Sequence, residues 1–92
     1  MQVKQMINNQ GRAVANQFII TDNGSKFFQS YQSIIAKIPL SLYDEVEKIE
    51  LDTVYWDYSR TTSKYRNMFL GETTKETKAK IASGGYILTN LN

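Results

Sequence analysis

The sequence contains no cysteine and no histidine, and its single proline is Pro39. Without cysteine there is no disulfide framework, no thiolate nucleophile and no cysteine-based zinc or iron–sulfur site. Without histidine there is no imidazole base or ligand, and no side chain whose ordinary pKa lies near neutrality. A base or a metal ligand would have to be a carboxylate, an amine, a phenol or a hydroxyl. These two absences argue against an enzyme, and we expect no cofactor.

A long apolar segment is missing as well. No run approaches the roughly 20 apolar residues that cross a bilayer, and residues 1–10 lack the apolar core of a signal peptide. The hydrophobic content of 41% with 12% aromatic residues is typical of a folded chain. At 92 residues, we expect a single small domain over residues 1–92, located in the cytoplasm, with no membrane partner and no small-molecule substrate.

The net charge of +2 conceals a partition along the chain. Residues 1–40 carry a net +3, residues 41–58 a net −5, and residues 59–92 a net +4. Segregated charge favours oppositely charged patches on one small surface. Such patches act on the encounter with a partner rather than on the fold.

Residues 1–55 are predicted to be mostly strand. Residues 2–7 alternate as in a half-buried strand, and Asn23-Gly24 predicts a two-residue hairpin loop between strands over 13–21 and 26–37, because both loop residues tolerate positive φ. Pro39 ends the second of these strands. The register that pairs Ile20 with Phe27 defines the expected core face, which carries Val14, Phe18, Ile20, Phe27, Tyr31 and Ile35.

A further strand is predicted over residues 47–52, after a loop over residues 40–44. Glu50 and Asp52 fall on its charged side, which we expect to face water. Together with Asp44 and Glu45 they are also candidates for binding a basic partner surface. The alternative, given equal weight, is that these charges protect an edge strand from unwanted pairing.

Helix signals follow. Ser59 is a suitable N-cap for a helix over residues 60–70, in which Tyr65, Met68 and Phe69 form the inward stripe, and Gly71 is placed to end it. A capping box formed by Thr73 and Glu76 starts a second helix that runs to Ser83, with Thr77 and Ile81 facing inward. Residues 86–89 form a last strand. The predicted fold class is α+β, a mainly antiparallel, hairpin-based sheet with two short carboxy-terminal helices over residues 59–83.

Aromatic, hydroxyl and cationic side chains interleave in residues 58–66, a mixture that contacts phosphates and stacks on bases. We therefore predict a surface for a partner or nucleic acid formed by Trp56, Tyr58, Arg60, Lys64 and Arg66, with Lys75 and Lys78 as a second, weaker patch. In the competing interpretation the aromatic residues cover the sheet and the cations are ordinary surface charges. The carboxylates of residues 44–57 show no specific metal-binding spacing.

Residues 55–74, Tyr-Trp-Asp-Tyr-Ser-Arg-Thr-Thr-Ser-Lys-Tyr-Arg-Asn-Met-Phe-Leu-Gly-Glu-Thr-Thr, resemble a family of small uncharacterised proteins of phages and prophages from low-GC, Gram-positive hosts. The resemblance extends to residues 14–20, 28–36 and 86–92, whereas residues 39–47 depart from the family pattern. It implies no catalytic residues. Small non-enzymatic proteins of this origin often bind host machinery, and anti-CRISPR proteins are among them.

Three hypotheses of function follow. The first is a non-enzymatic inhibitory binder, similar to an anti-CRISPR protein, whose partner is a host CRISPR effector nuclease or another defence nucleoprotein, with its guide RNA as a further contact. The second is a nucleic-acid-binding accessory protein of a phage that has no host protein target. A virion component, which would self-assemble, is a third possibility.

Overall fold

The computed structural model describes residues 1–40 and 48–92. Within these residues the chain forms six strands and two helices, which confirms the predicted α+β class. In chain order they are β1 (Gln2–Ile7), β2 (Ala13–Asp22), β3 (Ser25–Ser30), β4 (Ser33–Ile38), β5 (Ile49–Asp52), α1 (Arg60–Leu70), α2 (Thr74–Ala82) and β6 (Tyr86–Thr89).

The strands form one sheet in chain order from β1 to β6. Pairing is antiparallel from β1 through β5, and β6 adds in parallel to β5. Parallel neighbours need a crossover connection because the chain must return to the same end of the sheet. Here α1 and α2 supply that connection. The segment with helix signals therefore lies between two adjacent strands and covers one face of the sheet.

The β2–β3 hairpin is confirmed in its turn and in its register. Asn23 and Gly24 have φ values of 51° and 83°, as a tight hairpin loop with two positive φ angles requires. Asp22 pairs with Ser25, and Ile20 with Phe27. A β-carbon on Gly24 would stand 2.8 Å from the Leu40 side chain. Both the conformation and the space therefore favour glycine at this position.

The strand predicted over residues 26–37 is two strands. Tyr31 has a φ of 58° and begins a tight turn that Ser30 and Ser33 close as a cross-strand pair. The prediction missed this turn because neither Tyr31 nor Gln32 is a typical turn residue. β4 ends at Ile38, directly before Pro39, as expected. The predicted loop over residues 40–44 and the start of the strand predicted over residues 47–52 fall largely outside the described residues.

The predicted core face was only partly right. Ile35 is completely buried and Val14 packs on the core, but the face expected for the β2–β3 hairpin was wrong. Phe28 is completely buried and its ring stacks on that of Phe69, with centroids 5.8 Å apart. By contrast, Phe27 on the opposite face is only half-buried and Tyr31 is 48% exposed. Both faces of this hairpin carry apolar residues, so alternation alone did not decide between them. The helices cover the Phe28 face and thereby make it the core.

Asp52 contradicts the expectation that the charged side of its strand faces water. It is 2% exposed and lies beneath the last residues of the chain. One carboxylate oxygen accepts from the backbone N–H of Leu91 and from the Asn92 amide, and the other accepts from the backbone N–H groups of Val54 and Tyr55. Burial raises the pKa of Asp52, but these hydrogen bonds outweigh it and hold the pKa below its ordinary value.

Both predicted helix starts are confirmed. The Ser59 hydroxyl accepts from the backbone N–H of Thr62, and Thr73 and Glu76 form a reciprocal capping box. α1 ends at Leu70, and Gly71, with a φ of 70°, caps it as predicted. α2 ends at Ala82, one residue earlier than predicted. The residues predicted to face inward on the two helices are partly confirmed. Tyr65 and Thr77 are buried, and Phe69 and Ile81 pack on the core. Met68, by contrast, is 41% exposed.

A buried carboxylate attaches α2 to the sheet. The Glu72 side chain is 3% exposed and accepts hydrogen bonds from Lys80 at 2.7 Å, Thr77 at 2.5 Å and Tyr86 at 2.5 Å. Burial raises the pKa of Glu72, but the hydrogen bonds and the Lys80 charge outweigh it, so the pKa lies below its ordinary value of 4.5. The ionised carboxylate therefore stabilises the junction between α2 and β6.

The two neighbouring phenylalanines test the assignment of the core. We expect Phe28→Ala to lower the free energy of unfolding by about 3–5 kcal/mol, because it opens a cavity beneath α1. The matched control Phe27→Ala removes the same atoms from the other face and should cost less. Urea unfolding of both variants measures the difference. Equal losses would contradict the placement of the core.

The Glu72 network predicts a dependence of stability on pH. A carboxylate whose folded pKa is depressed stabilises the fold fully above its unfolded pKa and loses that contribution as the pH falls through its folded pKa. We expect Glu72→Gln to cost about 2 kcal/mol at pH 7. The gap between the wild type and the variant should narrow below pH 4.5. Chemical unfolding at several pH values measures it, and a gap independent of pH would exclude an ionised Glu72.

Candidate partner-binding groove

An open groove lies between α1 and the turn that joins β1 to β2. It encloses about 750 Å³ and is called the α1 groove below. The turn contributes one residue, the segment before α1 contributes three, and α1 contributes the rest. The lining residues are Asn9, Asp57, Tyr58, Ser59, Arg60, Ser63, Lys64, Asn67 and Met68.

Helical spacing explains how α1 presents its part of the groove. Arg60, Lys64 and Asn67 follow one another at intervals of four and three residues and therefore share one flank of the helix. All three residues line the groove. The Ser59 cap fixes where the helix begins, and hence which way this flank points.

Two cations give the groove its charge. Arg60 and Lys64 are exposed, and neither takes part in an ion pair within the described part of the chain. The one carboxylate of the lining, Asp57, accepts from the Ser63 hydroxyl at 2.6 Å and from Arg66 at 3.2 Å. Because Asp57 is compensated by Arg66 behind the groove, it does not neutralise Arg60 or Lys64. The groove therefore attracts anions.

The ionised state of Asp57 has a clear origin. Burial raises the pKa of Asp57. The hydrogen bonds from Ser63 and Arg66, together with the charges of Arg66 and Lys78, lower the pKa by more than burial raises it, so that it lies below the ordinary value. Lys78, one of the predicted contact residues, thus acts on the edge of this network from α2. Its side chain is exposed, as is that of Lys75, and neither lines the groove.

Arg66 must be removed from the predicted contact surface. Its side chain is completely buried, and its guanidinium stands 5.2 Å from the ring centroid of Trp56, which is itself half-buried. The guanidinium donates to the backbone carbonyl of Trp56, to Asp57 and to Thr74 at the start of α2. It therefore connects the segment before α1 to both helices. Because it is buried, its charge is not accessible to a partner.

Tyr58 provides the aromatic surface of the groove. It is 45% exposed and its ring meets that of Tyr55 edge to face, with centroids 5.4 Å apart. This contact fixes the ring while leaving part of it open to stacking. Of the seven predicted contact residues, the structure brings three together around the groove, namely Tyr58, Arg60 and Lys64.

Sequence reasoning missed the opposite wall. Asn9 lies about fifty residues from α1 in the chain, and no local pattern links the two. It also missed Met68, which was placed in the core because its spacing suits the inward stripe. Ser63 was recognised only as one hydroxyl of a mixed segment, although its bond to Asp57 orders the floor of the groove.

Fold and groove define a small α+β protein with an open cationic surface. Residues 1–84 match the family of unknown function DUF8033, and the chain belongs to this family. The match includes every residue of the groove, and the expectation of an uncharacterised family is confirmed. Comparison with curated proteins and with solved structures gives no match. Neither described helix is long and apolar enough to cross a membrane.

Replacing Arg66 separates its structural role from a contact role. We expect Arg66→Met to lower the free energy of unfolding by about 3 kcal/mol, because Asp57 and the Trp56 carbonyl lose a charged donor. The control Lys64→Met, on the exposed flank of the same helix, should change it by less than about 0.5 kcal/mol. Denaturant unfolding checks both. An unchanged stability of Arg66→Met would show that the guanidinium does not organise this region.

Proposed function

We propose that this chain is a non-enzymatic inhibitory binder encoded by a phage or another mobile element. In this proposal it acts in the bacterial cytoplasm as anti-CRISPR proteins do, docks on a host RNA-guided nuclease and contacts its guide RNA through the α1 groove. One observation carries the proposal. Arg60 and Lys64 are exposed side by side without ion-pair partners in the described part of the chain, next to the open ring of Tyr58.

The chemistry of the groove suits a single-stranded segment of nucleic acid. Cationic side chains contact phosphates, an exposed aromatic ring stacks on a base, and amides such as those of Asn9 and Asn67 hydrogen bond to base edges or sugars. The groove is open rather than enclosed, which favours a macromolecular ligand over a small molecule. The absence of cysteine and histidine from the sequence supports a binding role over a catalytic one.

The acidic surface proposed as a competing contact has less support. Asp52 is buried, and Glu50 lies 3.7 Å from Lys37 in an ion pair. Both carboxylates already have partners within the fold. Asp44 and Glu45, which were to extend this surface, lie outside the described residues.

Salt dependence tests the nucleic-acid contact. The probe is a fluorescein-labelled single-stranded RNA, titrated with the protein between about 50 and 200 mM salt. Each phosphate contact on a single strand contributes about 0.7 to the slope of log affinity against log salt, so Arg60→Glu with Lys64→Glu should flatten the slope by about 1.4 and weaken binding strongly. The control Lys26→Glu with Lys48→Glu makes the same charge change at two exposed lysines that neither line the groove nor belong to the predicted contact residues, and it should bind as the wild type. An equal effect of both pairs would contradict a role of the groove.

Inhibition of cleavage tests the partner. Purified RNA-guided nucleases are incubated with guide RNA and the protein, and DNA cleavage is then measured. We expect inhibition by the wild type and by the control pair, and its loss in Arg60→Glu with Lys64→Glu. Salt-sensitive binding to naked RNA without association with any nuclease would favour the alternative, a phage nucleic-acid-binding accessory protein with no host protein target.

A further inference from the structure

The outer edge of β1 is open. β1 pairs with β2 on one side, and no strand of residues 1–40 or 48–92 pairs with its other side. In a β-strand every second residue directs its backbone N–H and C=O to the same edge. These groups can accept an additional strand from another chain, which is a common way of binding an extended peptide.

An apolar recess lies beside β1, on the face of the sheet that α1 covers. It encloses about 290 Å³ between β1 and the second half of α1 and is called the β1 recess below. Four consecutive residues of β1 line it, which places it along the strand backbone. Two residues of α1 form its far wall. The lining residues are Lys4, Gln5, Met6, Ile7, Ile19, Met68 and Phe69.

The β1 recess suits an apolar side chain. Met68 was predicted to lie in the core but is 41% exposed at this position. Met6 also lines the recess and is 6% exposed. Methionine side chains are flexible and polarizable, so they adapt to different apolar groups. Exposed apolar surface next to an open strand edge is a combination that strand-adding peptides use.

The single positive charge in the lining of the β1 recess favours a bound segment of negative charge. Lys4 is exposed, takes part in no ion pair among the described residues, and is the only charged residue in the lining. An acidic side chain opposite Lys4 would be favoured on an added strand, and a like charge disfavoured. If the β1 edges of two copies paired antiparallel with the two Lys4 residues opposite each other, two like charges would face each other. The lysine therefore favours an acidic partner strand over a second copy of this chain.

We propose that the edge of β1 and the β1 recess bind an extended acidic segment of another protein, which adds to the sheet as a further strand. Lys4 and Met6 are two residues apart and share one face of β1. The bound segment therefore places a carboxylate opposite Lys4 and an apolar side chain two residues away, over the β1 recess. This site is distinct from the α1 groove, although both surfaces include Met68.

The probe for this site is the labelled peptide Gly-Thr-Leu-Thr-Asp-Thr-Leu-Thr-Gly. It has a leucine two residues from the aspartate on either side, so it fits in both strand directions. We expect saturable binding in fluorescence polarisation. Lys4→Glu should lower the affinity about fivefold or more, and a peptide with lysine in place of the aspartate should recover it. The control Lys26→Glu, an exposed lysine of β3, should bind as the wild type. Absence of binding, or equal effects of Lys4→Glu and Lys26→Glu, would overturn the proposal.

Backbone methylation tests strand addition itself. For this test threonine replaces one leucine or the other, so that each form of the peptide fits in one strand direction only. The form that binds more tightly is then N-methylated at alternate residues, at odd positions in one version and at even positions in the other. In a given strand direction, the N–H groups of either the odd or the even residues face β1. One version should therefore lose binding and the other should retain it. Equal behaviour of the two versions would overturn strand addition. A dimer of the wild type in light scattering that an excess of the peptide converts to a monomer would assign the edge to a second copy instead.

The two proposed sites fail independently. Arg60→Glu with Lys64→Glu removes the charges of the α1 groove and leaves the lining of the β1 recess intact, so it should abolish RNA retention while keeping peptide binding. If this variant lost peptide binding while Lys4→Glu bound the peptide as the wild type does, the peptide would bind in the α1 groove, and the proposed site at β1 would be overturned. Peptide binding without any RNA binding would contradict the proposed function alone.

Discussion

The buried guanidinium of Arg66 is the interaction on which the functional surface depends. It donates to the Trp56 carbonyl, to Asp57 and to Thr74, so one side chain joins the end of the β5 connection to both helices. A buried charge has to be satisfied from several directions, and this requirement fixes the relative positions of the segments that supply its acceptors. The same pairing compensates Asp57. Within the described residues, Arg60 and Lys64 are thereby left in the α1 groove without an ion-pair partner.

Two buried carboxylates complete the frame around a small core. Glu72 joins α2 to β6 through Lys80, Thr77 and Tyr86, and Asp52 holds Leu91 and Asn92 at the end of β5. A chain of this size buries too little apolar surface to specify every junction by packing alone. Directional hydrogen bonds to ionised groups supply the missing specificity, and they do so where the parallel strand β6 must be kept in register with β5.

The two proposed binding surfaces meet at Met68, which borders both the α1 groove and the β1 recess. One surface suits a phosphate backbone with an accessible base, and the other suits an extended acidic segment of protein. A nucleoprotein offers both kinds of ligand close together. Under the proposed function, this chain would therefore engage the nucleic acid and the polypeptide of one target at the same time.

The sequence by itself determined the features that depend on residues close together in the chain. These are the Asn23-Gly24 turn, the caps of both helices, and the common flank of Arg60 and Lys64, because each follows from local backbone sterics or helical spacing. Tertiary structure decided which face of the hairpin became the core. Both faces carry apolar residues, and only the packing of the helices buries one of them. It also decided that Arg66 and Asp52 are buried and that Asn9 faces α1. The partners of these residues come from distant segments, and no local pattern encodes a contact that only the folded chain creates.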